Sequence, residues 1–218
     1  MAIAFVRTST TVNPASNTVA FDGTATNGYL TVQTLIQSNQ TVTGVTYNSV
    51  AMSQLVTRAG GAEETLYLWG LANPTTGTND IVVSVSGAGT LVVDAALYSG
   101  AQQTTAVEAT NNTSGGAATS ASISVTTITD NDWLVGYFRG HGGGAFTAGS
   151  NTVVRTAAGE GTRQMVDSGA DQTPAGAFSL NVTMSSQAWE AMAFALKPFT
   201  AAVASIPLHN QTLLGVGQ

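Results

Sequence analysis

The chain has no cysteine, one lysine, two histidines and no long apolar run. Without cysteine there is neither a disulfide nor a thiolate metal site. No stretch of about 18 apolar residues occurs, so no transmembrane helix is expected. The opening MAIAFVRTSTTV lacks a basic segment and an apolar core, so a cleaved signal peptide is not expected. Charged residues make up only 8% of the 218 residues, against ~25% in ordinary domains. Surface helices normally carry Glu and Lys, so a largely helical surface is not expected. Lysine and arginine nowhere cluster, and the net charge is −6. That argues against a nucleic-acid partner and against a polybasic membrane contact.

What fills the chain is Thr, Ser, Ala, Gly and Asn, arranged as strands. In FSLNVTMSS, Phe178, Leu180, Val182 and Met184 alternate with polar residues. IVVSVSG (81–87) and SASISVTTI (120–128) repeat the same period of two. TLYLWGL (65–71), TLVVDAALY (90–98), DWLVGYF (132–138) and AWEAMAFAL (188–196) are apolar on both faces and read as central strands covered on both sides. The last is read as a strand, although its Ala and Met also suit a helix. Turn sequences separate these runs, among them NPTTGTND (73–80), TDND (129–132) and DQTPAG (171–176). Roughly a dozen strands at this spacing predict an all-β protein, a single antiparallel β-sandwich of jelly-roll-like type spanning 1–198. No linker divides it before residue 197. Residues 100–120 are polar and read as a connection between two halves of one sandwich.

After Lys197-Pro198 the pattern changes. Residues 199–218 carry no charged side chain, yet include Ile206, Leu208, Leu213, Leu214 and Val216. Such a segment is too apolar for a free solvated tail. It is expected to be an interaction arm, with Met1–Arg7 as a second one.

Four kinds of chemistry can be weighed. RGHGGGAF (139–146) has the His-Gly-Gly-Gly form of an oxyanion-hole loop. No G-x-S-x-G nucleophile elbow accompanies it, and the only histidines are His141 in the loop and His209 in the tail. An acyl hydrolase is therefore the third reading, and a plain inter-strand loop the preferred one. The carboxylate pairs Glu63/Glu64 and Asp130/Asp132 read as turn residues rather than glycosidase acids. Asp94, inside an apolar run, is either a paired core acid or faces water. TDND offers oxygen ligands without an EF-hand pattern, so no metal and no cofactor is predicted. Trp69, Trp133 and Trp189 lie in apolar strands and read as core. Tyr47 and Tyr98 sit near strand ends and are the candidate ligand-facing aromatics, with a glycan as the ligand class. Asn39, Asn111, Asn181 and Asn210 stand in N-x-T sequons, which mean little without a secretory route.

Several segments together, in order, resemble a loose family of β-sandwich proteins: VTGVTYNSVAMSQL (42–55), LYLWGLANPTTGTNDIVVSVSG (66–87), ALYSGAQQTTAVEA (96–109), NDWLVGYF (131–138) and AWEAMAFALKP (188–198). The family is found in predicted phage virion proteins and bacterial surface proteins. W-x-L-x-N-P-x-x-G, Trp69 to Gly77, is the most distinctive part. The resemblance implies a structural or adhesive role and supplies no catalytic residue. With no signal, repeat or anchor in view, the expectation is a non-enzymatic virion structural protein. It would be made in the host cytoplasm and serve in head decoration or in a tail or fibre. Its partners would be further copies of itself and other virion proteins. A carbohydrate-binding or adhesive surface module is the alternative.

Overall fold

The computed structural model describes residues 1–13, 15–37, 39–61, 64–156 and 162–201. The arm residues Ile206, Leu208, Leu213, Leu214 and Val216 lie outside them. Among the described residues there are strands, one short 3-10 turn at Ala15–Asn17 and no α-helix. The first half of the chain supplies β1 (Ala4–Val12), β2 (Thr18–Asp22), β3 (Tyr29–Ile36), β4 (Val42–Tyr47), β5 (Val50–Ala51), β6 (Ser53–Ala59), β7 (Thr65–Ala72), β8 (Thr78–Val85) and β9 (Leu91–Ser99). The second half supplies β10 (Val107–Thr126), β11 (Trp133–Gly140), β12 (Thr147–Ala148), β13 (Val153–Val154), β14 (Arg163–Asp167) and β15 (Ala177–Leu196). The segment 188–196 is thus strand, as expected, and not the helix its Ala and Met also suited.

Three antiparallel sheets result. One has the order β1-β9-β3-β7-β6, the second β10-β15-β11-β14-β13 with β12 on β15, and the third β2-β8-β4-β5. The fold is an all-β sandwich. The first and second sheets pack face to face, with Tyr29, Leu66, Leu68, Val92 and Tyr98 meeting Trp133, Val135, Tyr137, Met192 and Phe194. The third sheet covers the other face of the first through Val19, Val45, Tyr47, Ile81 and Val83. On the far side of the second sheet, the paired long strands β10 and β15 fold over their own base. Ile123, Val125, Leu180 and Val182 pack there on Leu134, Phe138, Ala193 and Ala195. The strands apolar on both faces are explained by these layers: Leu91, Val93, Ala95 and Leu97 point to one core, Val92, Ala96 and Tyr98 to the next. Alternation marks the outer strands, which have one wet face.

The two halves repeat one strand plan, a feature invisible as a residue repeat. The order β1-β9-β3-β7-β6 is matched, element by element, by base of β10, base of β15, β11, β14 and β13. Tyr29 faces Tyr98 across its pair, and Trp133 faces Leu196. Val32 lies between Trp69 and Ala95, and Gly136 lies between Val166 and Ala193. Val19 pairs Ile81, and Ile123 pairs Leu180 in the tips of the long strands. A left-handed asparagine precedes β3 and another precedes β11 (Asn27, φ 47°; Asn131, φ 67°). The Trp69–Gly77 motif is the turn from β7 to β8, where Gly77 (φ 85°) accepts from Gly23 N–H; Gly176 accepts from Thr127 N–H at the matching place. Within the all-β sandwich the two halves therefore share one strand order and meet at a central interface.

Met1–Arg7 is not a free arm. Ala4 onward forms edge strand β1 against β9, and Ile3 is buried in the central core.

Candidate functional site

The scarce charges gather where the halves meet. Four of the five arginines reach from one half to the other. Arg139 on β11 places Nε 2.9 Å and Nη2 2.7 Å from the two carboxylate oxygens of Glu64, just before β7. Arg163 on β14 lies 3.9 Å from Asp94 on β9. Arg155 forms a two-point pair with Asp167 (2.7 and 2.9 Å) and sits over the Phe5 ring at 4.4 Å. Arg58 on β6 donates to Asn112 (2.9 Å) and to Ser114 on β10. Asp94 is thus a paired core acid. Burial works against the Glu64 carboxylate, but Arg139 and Gln37 overcome it and hold its pKa below the usual value. Burial pushes the Tyr98 hydroxyl well up, and Asp167, to which it donates at 3.1 Å, adds to the rise.

The Gly-rich loop belongs to the same seam. Gly140 N–H donates to Thr162 O (2.7 Å), His141 N–H to Ala188 O (3.0 Å) and Gly142 N–H to Gln187 Oε1 (2.6 Å). Of the glycine N–H groups an oxyanion hole would need free, Gly142 is thus already engaged. His141 Nε2 lies 2.5 Å from Glu190 Oε2, and Glu190 Oε1 also accepts from Gly61 N–H of the other half. The loop is thus tied to its own half, and Glu190, which His141 holds, makes the contact to Gly61 of the other half.

Tyr47 and Tyr98 do not face a ligand: both are fully buried. The Tyr47 hydroxyl lies 3.0–3.1 Å from the carbonyls of Phe21, Thr75 and Gly77, fastening the β7–β8 turn over its strand end. Tyr98 is covered because the second half packs on its sheet. Sequence position near a strand end gives no sign of either lid. Glu63 lies outside the described residues. Asp130 accepts from Ala175 N–H at 2.6 Å and is a turn residue. Asp132 is fully buried; burial and the neighbouring Glu108 carboxylate push its pKa up to about 8. Burial opposes ionisation of Glu108 too, but donation from Asp132, from Ile128 and Thr129 N–H, and from the Thr129 hydroxyl brings it down to about 2. Among the described residues no group of three or more His, Asp or Glu is placed to hold a metal ion.

Of the three tryptophans, Trp69 and Trp133 are core, but Trp189 is only half-buried and borders an open groove of about 510 Å³. Strands β10 and β15 lose register between Gly115 and Ser120, and the groove lies along this bend. Bulges of this kind bend a strand and re-aim its side chains. Gly115 stands opposite Trp189, and a Cβ there would come 2.5 Å from Nε1, so glycine makes room for the indole. Nothing near Trp189 in the sequence reveals Gly115 as its partner.

No family model, curated protein or solved structure matches the chain.

Proposed function

We propose that the chain is a non-enzymatic structural subunit of a phage virion, in head decoration or a tail or fibre, built from two jelly-roll-like units. Its assembly arm is residues 199–218. The observation that carries this reading is the place where the arm begins. Met1 N donates to Phe199 O at 2.9 Å, and Phe199 N–H donates to Gly100 O at 2.7 Å. The uncharged apolar segment therefore starts from a fixed point where chain start, inter-half connection and chain end converge. An arm rooted in a rigid body delivers its apolar residues to a neighbour at little cost in ordering the root. At roughly 25 cal/mol per Å² buried, a few hundred Å² contribute several kcal/mol per contact. Many copies multiply this by avidity. The resemblance of Trp69–Gly77 and its flanking segments to virion and surface proteins points the same way. The bonds that tie the Gly-rich loop to its own half favour a structural role there over acyl transfer.

Solution mass by light scattering tests the reading, on the full chain and on a chain ended after Ala201. That end keeps the Phe199 bonds. A defined oligomer that falls to monomer on truncation, with unchanged circular dichroism, is the expected result. A monomer in both forms overturns self-assembly through the arm.

A further inference from the structure

We infer that the groove beside Trp189 binds a neutral saccharide. This goes beyond the assembly role and stands or falls independently of it.

The argument rests on what lines the groove. Ser120, Ser122, Ser150, Asn181, Thr183 and Trp189 border it, with no ionisable side chain among its lining residues. An uncharged wall gives no counter-charge to an anionic or cationic ligand, and desolvating an unpaired charge is costly. Ser120, Ser122 and Thr183 are exposed, so their hydroxyls are presented to solvent and can both donate and accept. Asn181 is held in one orientation: its side-chain nitrogen donates to Ser150 O and Ser179 O, each at 3.2 Å. Its two amide hydrogens are thereby used, and Oδ1 is left to accept. The indole of Trp189 is backed by Phe138, ring centroids 6.4 Å apart, and by the bare backbone of Gly115. A fixed, partly exposed indole beside a fixed amide and exposed hydroxyls suits a ligand with one apolar face and a rim of hydroxyls. Sugar rings have that form. The bend of β10 and β15 holds the wall on paired strands, so the groove is preformed.

The test is a printed array of neutral, sialylated and sulfated glycans probed with the full-length protein. Each hit is then titrated by tryptophan emission. Trp69 and Trp133 are buried at 5% and 6% exposure, so a ligand in the groove acts on the Trp189 signal. Neutral glycans are expected to bind, and binding is expected to fall at least tenfold in Ser120→Arg, which blocks the rim, and in Trp189→Leu. Ser120 is exposed on its strand, so Ser120→Arg keeps the test decisive should Trp189→Leu fail to fold. Absence of any neutral hit, retention of charged glycans alone, or undiminished binding in Ser120→Arg overturns the inference.

Discussion

The Glu64–Arg139 pair makes the sharpest demand on the central interface. Glu64 has a side chain 2% exposed and Arg139 one 12% exposed, and they meet through two parallel hydrogen bonds. Two-point pairs of this kind are stronger and more directional than single contacts. Removing one partner strands the other charge away from water. Glu64→Leu leaves the guanidinium facing Gln37 and the carbonyls of Gly140 and Thr162. The expected loss is about 3–5 kcal/mol, and Arg139→Met costs a similar amount. The double variant has no stranded charge and is expected to lose far less than the sum, with a coupling energy of about 2 kcal/mol or more. Urea unfolding of the four proteins measures this, and an unchanged dependence on urea shows that the halves still unfold together. Additive losses, with coupling under about 0.5 kcal/mol, would refute the claim that the two halves are joined through this pair. Acid supplies a second check. The folded pKa of Glu64 is lowered, so its contribution is present above its ordinary value of 4.5 and is lost as pH falls below it.

Two further outcomes are expected. Gly136→Ala places a Cβ 2.6 Å from Leu180 Cδ1 and 3.3 Å from Met192 O in a fully packed layer, and should lower stability by about 1–3 kcal/mol in thermal unfolding; an unchanged melting temperature contradicts the packing described. Asp132 keeps its proton in the folded state up to about pH 8 but loses it near 3.8 when unfolded, so its contribution is complete below pH 3.8 and declines as pH rises toward 8, by at most ~1.4 kcal/mol per pH unit. Asp132→Asn should remove that decline, and parallel stability–pH curves for the two proteins would show that the Asp132 pKa is not raised.

The fold class was legible because its signal is local. Leu180, Val182 and Met184 are buried and alternate with less buried neighbours, and the segments apolar on both faces became the strands between layers. The doubling was hidden because matched positions hold different residues: Tyr98 answers to Leu196, Trp69 to Val166, Val32 to Gly136. Each residue is fitted to its own layer, so only the strand order is shared. A 3-10 turn also interrupts β1 and β2, whereas β10 runs on for 20 residues. Asp94 could not be resolved from its apolar neighbours, since its partner Arg163 is far along the chain. The groove escaped notice for the same reason: Trp189 reads as core until Gly115 and the bulges are set opposite it. Tyr47 and Tyr98 were misplaced because the segments that bury them are distant in sequence.

A chain that contains both sides of its own central interface cannot lose that interface by dilution. Ser99 and Val107 are joined by a short connection, so each half meets the other at an effective concentration of order millimolar however scarce the protein is. A free copy at micromolar concentration would have to bind about a thousandfold more tightly to displace the tethered half. Exchange between chains is thereby suppressed at this face, and any contact with another copy is left to the outer surfaces. Cut between β9 and β10, the same protein would present two sheet faces bearing Tyr29, Tyr98, Tyr137 and Phe194, with Glu64 and Arg139 parted. In this chain, covalent continuity does the work that concentration does in a dimer.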